Sequence, residues 1–273
     1  MMKSTKRFLL TVSYDGTNYC GWQRQKNGPS VQQTLEETLE KLLREPVRVT
    51  GASRTDAGVH ALGQRAHLDS AAAIPAEKLP FALNTMLPAD IRVLEGLTVP
   101  DTLHARFSVS GKTYQYRIHN SPHASALYRN LSAHVPVRLD DRLMDEACKV
   151  LLGTHDFAAF AAAGGSAKTT VRTITEIQVE RTGEEVLLTV SGNAFLYNMV
   201  RIIAGTLIDI GHGKLPPEAL RKALDTGDRL QLGVTAPPQG LELTRIFYDL
   251  EGERPPEEWL RPYCKTDESM VDF

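Results

Sequence analysis

Two periodicities follow one another along this chain in an order that is spelled twice: strand, helix, strand, strand, helix, strand. Residues 7–14 alternate, with Phe8, Leu10, Val12 and Tyr14 on one side, as a half-buried strand does. Ser30 followed three residues later by Gln33 has the form of a capping box, and Val31, Leu35, Leu39 and Leu42 then recur at helical spacing until Pro46 stops them. Strands are read at 47–50 and 64–69. A second helix is read at 76–85, with Leu79, Leu83 and Met86 on one face, and a strand at 91–99 ends at Pro100. After a short connector at 103–107 the order returns. It runs through strand 111–119, helix 141–152, strands 171–181 and 186–192, a long apolar helix at 194–210 and a last strand at 241–250, with one extra short helix near 218–224.

Each half therefore has the order of a ferredoxin-like unit. Two such units joined edge to edge make an α+β fold with one extended mixed sheet, helices on one side and the opposite face open as a platform for a ligand. The expected division is an N-terminal half at 1–106, a C-terminal half at 107–250 and an acidic tail at 251–273 whose role is open.

Composition narrows the function classes. Hydrophobic residues at 42% and charged residues at 23% are values for a soluble globular protein, and 273 residues suffice for a large core or two ordinary ones. No apolar run approaches the roughly 18 residues of a membrane span, and no signal-peptide core precedes the first strand, so the expected location is the cytoplasm. Cys20, Cys148 and Cys264 are odd in number and widely spaced, which fits reduced thiols, and no CxxC or HxxxH pair offers a metal site. Net charge is −2, but residues 251–273 hold seven acids and three bases, leaving 28 bases against 26 acids elsewhere. A basic groove on one face is compatible with that balance, and nothing in it demands nucleic acid.

Gly51-Ala52-Ser53-Arg54-Thr55-Asp56-Ala57-Gly58-Val59-His60-Ala61 lies between two strand-like runs, so it is a turn projecting polar side chains beyond a sheet end. Its glycines permit a bent backbone, and Arg54, two residues from Asp56, favours the ionised carboxylate. Asp56 either closes the turn or faces a ligand. The polar, aromatic loop at 14–26, with Tyr19, Trp22, Arg24 and Lys26, either stacks on bases or packs on the core. Tyr114 and Tyr116 share one face of a strand, and Tyr114 is read near the strand's beginning and the sheet edge. Arg201 sits among Met199, Val200, Ile202 and Ile203, where a guanidinium without a partner is costly. It either reaches solvent or meets a carboxylate, from a neighbouring helix or from Asp56. Leu243, by itself, is a core leucine.

The string Arg54-Thr55-Asp56-Ala57-Gly58-Val59-His60 resembles the catalytic aspartate loop of the tRNA pseudouridine synthase A family, and three later stretches resemble that family in the same order, over most of residues 7–250. The resemblance implies an isomerase acting on uridines of the tRNA anticodon stem-loop at positions 38–40. The N1 glycosidic bond breaks, the uracil turns and the ring rejoins through C5, with no redox cofactor or metal. It implies Asp56 as the carboxylate at the ribose, Arg201 as the basic residue paired with it, and Tyr114 as the ring that stacks on the uracil and serves as base. Leu243 becomes the apolar wall beside the base, and Arg54 occupies the gap left by the flipped nucleotide. His104, Arg106 and Phe107, with Lys168 and Arg172, resemble backbone-contacting segments. The expected partner is tRNA, and a homodimer is implied by the family alone. Residues after Leu250, with Pro255, Pro256 and Trp259, have no counterpart in the family pattern.

Two other classes are weighed against this one. A non-catalytic RNA-binding module also presents aromatics on ferredoxin-like sheets, but no string of the Gly-Phe-Gly-Phe-Val kind stands on a third strand. A glycoside hydrolase or nucleosidase needs a second carboxylate, and none accompanies Asp56 in its loop.

Overall fold

The structure, a computed structural model, describes residues 5–165 and 167–248. The tail at 251–273 with Trp259 and Cys264, the last two residues of the strand expected at 241–250, and Ser166 lie outside the described residues.

In chain order the elements are β1 (Lys6–Tyr14), α1 (Val31–Leu43), β2 (Thr50–Gly51), β3 (His60–Ser70), α2 (Leu79–Asn84), β4 (Ile91–Val99), β5 (Val109–His119), β6 (Ala133–His134), α3 (Asp141–Cys148), β7 (Gly153–Asp156), β8 (Val171–Thr182), β9 (Glu185–Gly192), α4 (Met199–Gly211), α5 (Ala219–Thr226) and β10 (Leu241–Tyr248). The expected α+β class with one extended mixed sheet is what the chain forms. Its main path runs β4-β1-β3-β10-β5-β9-β8-β7, with β2 on β3 and β6 on β5. Pairing along the path is antiparallel except where β10 meets β3, with Glu242 opposite His60 and Leu243 opposite Ala61. On its other side β10 is antiparallel to β5, with Leu243 opposite Tyr114. The last described strand therefore sits beside both the strand that follows the Asp56 loop and the strand that carries Tyr114.

Local chemistry accounts for most element boundaries. Ser30 caps α1 by accepting from the Gln33 amide at 3.3 Å, a contact of about 1 kcal/mol. Only half of the expected box forms, because the Gln33 side chain donates to Glu37 instead. Leu35 and Leu39 of α1, Leu79 and Leu83 of α2, and Ile202, Ile203 and Leu207 of α4 are fully buried. Met86, expected on the apolar face of the second helix, is 44% exposed, since α2 ends at Asn84.

Three expectations need correction. The strand expected at 47–50 is reduced to Thr50 and Gly51, because side chains of α1 take the preceding backbone: the Val49 amide donates to Glu36 at 3.0 Å and the Val49 carbonyl accepts from Gln32 at 2.9 Å. The helix expected from 194 begins at Met199, because Asn198 is left-handed at φ 60° and breaks the helical path. The site does not lie on a helix-free face either. Tyr114 and Tyr116 point to the side of the sheet that carries α4, where the Tyr116 hydroxyl donates to the Pro237 carbonyl at 2.8 Å and Arg201 donates to the neighbouring Ala236 carbonyl at 2.8 Å.

The middle of the sheet also holds a destabilising carboxylate. Burial pushes Glu242 of β10 up to about 7, against a smaller opposing pull from Arg117. The folded state thus binds this proton more tightly than the unfolded chain does. The resulting stability is complete below the ordinary value of 4.5 and lost as pH rises through about 7. Glu242→Gln is expected to match the parent's thermal midpoint near pH 4 and to exceed it near pH 8. Thermal unfolding at the two pH values checks this, and equal midpoints at both contradict it.

Candidate active site

The loop from Ala52 to Val59 is held on every side by its own backbone groups. The Ala52 amide donates to the Arg65 carbonyl at 2.7 Å, and the Val59 amide donates to the Asp56 carbonyl at 3.1 Å. Gln64, fully buried in β3, accepts from the Ser53 amide at 3.1 Å and donates to the Ser53 carbonyl at 2.7 Å, clamping that residue from both directions. The 14–26 loop supplies the other wall. The Trp22 amide donates to the Thr55 carbonyl at 3.1 Å, the Gly58 amide donates to the Tyr19 carbonyl at 3.3 Å, and the Tyr14 hydroxyl lies 2.7 Å from that of Thr55.

Two glycines are required by this fit. Gly58 has φ +76°, and a Cβ on Gly21, itself at φ +92°, would stand 2.4 Å from the Thr55 carbonyl oxygen. Of the two readings of the 14–26 loop the structure selects packing, since Tyr14, Tyr19 and Trp22 are buried.

Asp56 is thereby fixed with its side chain 29% exposed, and a carboxylate oxygen lies 3.7 Å from Nη1 of Arg201. Arg201 is aimed by two further bonds, from Nε to the Ala236 carbonyl and from Nη1 to Oδ1 of Asn198, both 2.8 Å. The left-handed Asn198 that delays α4 is thus also a support of its arginine. Burial raises the Asp56 carboxyl above its ordinary value, and the charge and hydrogen bonding of Arg201 pull it partly back. Arg54 does not supply that charge: it is exposed, and the ion pair of Asp56 is with Arg201. Nearness in sequence misleads here, because the charge that meets Asp56 comes from α4.

Tyr114 is buried, with its hydroxyl 2.9 Å from Oγ of Ser53 and its ring edge-on to Phe195 at 5.2 Å. Burial pushes its hydroxyl up to about 12, a hydrogen bond to Ser53 opposes this, and the charge of Asp56 adds to the rise. The expectation that Tyr114 stands near a strand start and sheet edge is corrected. β5 begins at Val109 and lies between β10 and β9, so Tyr114 is mid-strand in an interior strand. Leu243, fully buried, is its cross-strand neighbour.

The chain from Asp101 to Phe107 is anchored by residues that sequence patterning passes over. Arg7 bridges Asp69 with two bonds of 2.7 Å and donates to the Leu103 carbonyl at 2.8 Å, while His67 accepts from the Ala105 amide at 3.0 Å. Burial, followed by the charges of Arg7 and His104, holds His67 down to about 4, which suits an accepting ring nitrogen. On this support Phe107 is 76% exposed, stacked on His104 at 4.3 Å, with the Arg106 guanidinium 5.7 Å from its ring centre. Lys168 is exposed. Arg172, in β8, is half-buried and donates to its own neighbour, the Val171 carbonyl, at 2.6 Å. The structure therefore brings together Asp56, Arg201, Tyr114 and Leu243, and neither Lys168, which is exposed, nor Arg172, which turns to its own backbone, joins them.

The model of the tRNA pseudouridine synthase family matches residues 10–108 and 147–249. These segments contain Asp56, Arg54, the 104–107 connector, Arg172, Arg201 and Leu243. The chain belongs to the tRNA pseudouridine synthase family. A Clostridium perfringens protein named tRNA pseudouridine synthase A 2 is 46% identical over 243 residues, 89% of this chain and 100% of its own length. A tRNA pseudouridine synthase A of Ruminiclostridium cellulolyticum is 49% identical over 244 residues, with the same coverage. A Clostridium tetani protein named tRNA pseudouridine synthase A 2 is 49% identical over 242 residues, 88% of this chain and 98% of its own. The enzyme is accordingly an isomerase that forms pseudouridine in tRNA. No helix among its described residues is long and apolar enough to cross a membrane.

Proposed function

We propose that the enzyme isomerises uridines in the anticodon stem-loop of tRNA, at positions 38–40, in a cleft between an N-terminal half at 1–106 and a C-terminal half at 107–250. The observation that carries this reading is the pairing of one partly exposed carboxylate, Asp56, with an arginine from a distant helix, beside a buried tyrosine hydroxyl. A base paired in a stem hides its glycosidic bond, so the target nucleotide must leave the stack, and exposed Arg54 next to Asp56 fills the vacated place. Asp56 acts at the ribose as the N1 bond breaks. Arg201 keeps that carboxylate ionised and aimed, and Tyr114 with Leu243 confines the uracil while it turns and rejoins through C5. No atoms are gained or lost overall: the N1–C1′ bond breaks, the C5–C1′ bond forms, the proton on C5 is removed and N1, freed from the ribose, takes one up.

Phe107, with Arg106 and His104, offers a stacking surface with a cation at its edge, and exposed Lys168 suits a phosphate. Arg172, half-buried and turned to its own backbone, reaches a phosphate only if that bond is given up. The family resemblance supports a homodimer working in the cytoplasm. Pseudouridine mapping in tRNA from cells with and without the protein tests the reading. Loss confined to positions 38–40 is expected, and unchanged modification there refutes the assignment.

A further inference from the structure

Tyr114 is the end of a longer hydrogen-bonded chain. Lys112, two residues earlier and on the same face of β5, donates from Nζ to the Ala52 carbonyl and to Oγ of Ser53, both at 3.1 Å. Oγ of Ser53 in turn lies 2.9 Å from the Tyr114 hydroxyl. An ammonium carries only donors, so Ser53 must accept from Lys112, and its single proton remains for another partner. The Tyr114 hydroxyl, 2.9 Å away, is the partner within reach of that proton, in a contact where either oxygen can donate and where the Lys112 charge on Ser53 favours Ser53 as the donor. With Ser53 donating, one lone pair of the Tyr114 oxygen is occupied and the tyrosine's own proton is turned away from Ser53. A hydroxyl that accepts from a cation is also polarised into a stronger donor.

The position is an expensive one for a lysine. Burial first, and the charge of Arg106 second, hold its amine down to about 8, and its Nζ donates to two oxygens of the Asp56 loop. We propose that Lys112 and Ser53 are positioning residues for Tyr114, and that the chain Lys112–Ser53–Tyr114 sets which way the tyrosine hydroxyl presents its proton and lone pair to the target base. This rests on the reading that Tyr114 faces that base. It also ties the strand of Tyr114 to the loop of Asp56, so that the two groups keep a fixed separation.

The test combines turnover with a spectroscopic readout. Single-turnover rates on tRNA are measured for Ser53→Ala, Lys112→Met and Tyr114→Phe, and for Tyr114→Phe combined with each of the other two. Ser53→Ala and Lys112→Met are expected to slow turnover roughly tenfold each, the scale of one lost hydrogen bond, with tRNA affinity unchanged. In the Tyr114→Phe background neither is expected to slow it further. Losses that persist in that background, full activity of Ser53→Ala and Lys112→Met, or full activity of Tyr114→Phe overturn the proposal.

Independently, tyrosine labelled with the heavy carbon isotope at Cζ gives one magnetic resonance signal that disappears in Tyr114→Phe. That signal is expected to move in both Ser53→Ala and Lys112→Met, and an unmoved signal in Lys112→Met overturns the chain. A moving signal in a protein that makes no pseudouridine leaves the chain in place and removes the functional reading instead.

Discussion

Replacing Asp56 by alanine is expected to lower turnover on tRNA by on the order of 10⁴-fold. Affinity for tRNA is expected to stay within about tenfold, because phosphate contacts dominate binding and a carboxylate makes none. The structure gives this carboxylate little to do for the fold. Its loop is held by backbone bonds from Trp22, Tyr19 and Arg65 and by the side chain of Gln64, all of which survive the substitution. A folded, binding-competent but inactive protein is therefore the predicted outcome. Near-normal turnover of the variant would remove Asp56 from the reaction.

Arg201→Met is expected to lower turnover by roughly 10²- to 10³-fold, the scale of losing one preorganised electrostatic partner. It should also leave a distinctive mark on the pH profile. Burial already raises Asp56 above the ordinary 3.8, and Arg201 is the group that opposes the rise. Turnover that needs the ionised carboxylate is lost as pH falls through that raised value. Without Arg201 the value rises further, so the acid limb of the profile moves to higher pH. Because Asp56 and Arg201 act on one event, the double variant is expected to be hardly worse than Asp56→Ala alone. Independent multiplication of the two losses, or an acid limb that stays in place, would make the pair structural only.

The sequence carried the fold's order well because its elements are long and strongly patterned. The alternation at Phe8, Leu10 and Val12 and the helical spacing at Leu35 and Leu39 mark faces that the structure buries completely. The short strands escaped for the converse reason. β7 is a four-residue edge strand with a mostly exposed side-chain pattern, and β6 has two residues, so neither displays a period. The start of α4 was illegible because apolar spacing at Phe195 and Leu196 continues through Asn198, and only the backbone angle there shows the break.

In the site, Asp56, Tyr114, Arg201 and Leu243 were legible through the family resemblance, and their mutual approach required the fold. The supports were missed. Gln64 shares one face of β3 with Ala66 and Leu68, and a polar side chain buried on such a face is a readable sign of a clamp. Lys112 stands two residues before Tyr114, and strand periodicity already puts both on one face. Arg7 and His67 lie far from the connector in sequence and give no local signal of holding it.

The most direct measurement follows the fate of the uracil. The purified protein and its Asp56→Ala variant are incubated with tRNA carrying labelled uridine, and both pseudouridine in the chain and free uracil in solution are quantified. The account predicts pseudouridine within the tRNA, no release of uracil, and neither product with the variant. Release of free uracil from an otherwise unmodified tRNA, or pseudouridine formed by Asp56→Ala at the parent's rate, would contradict it.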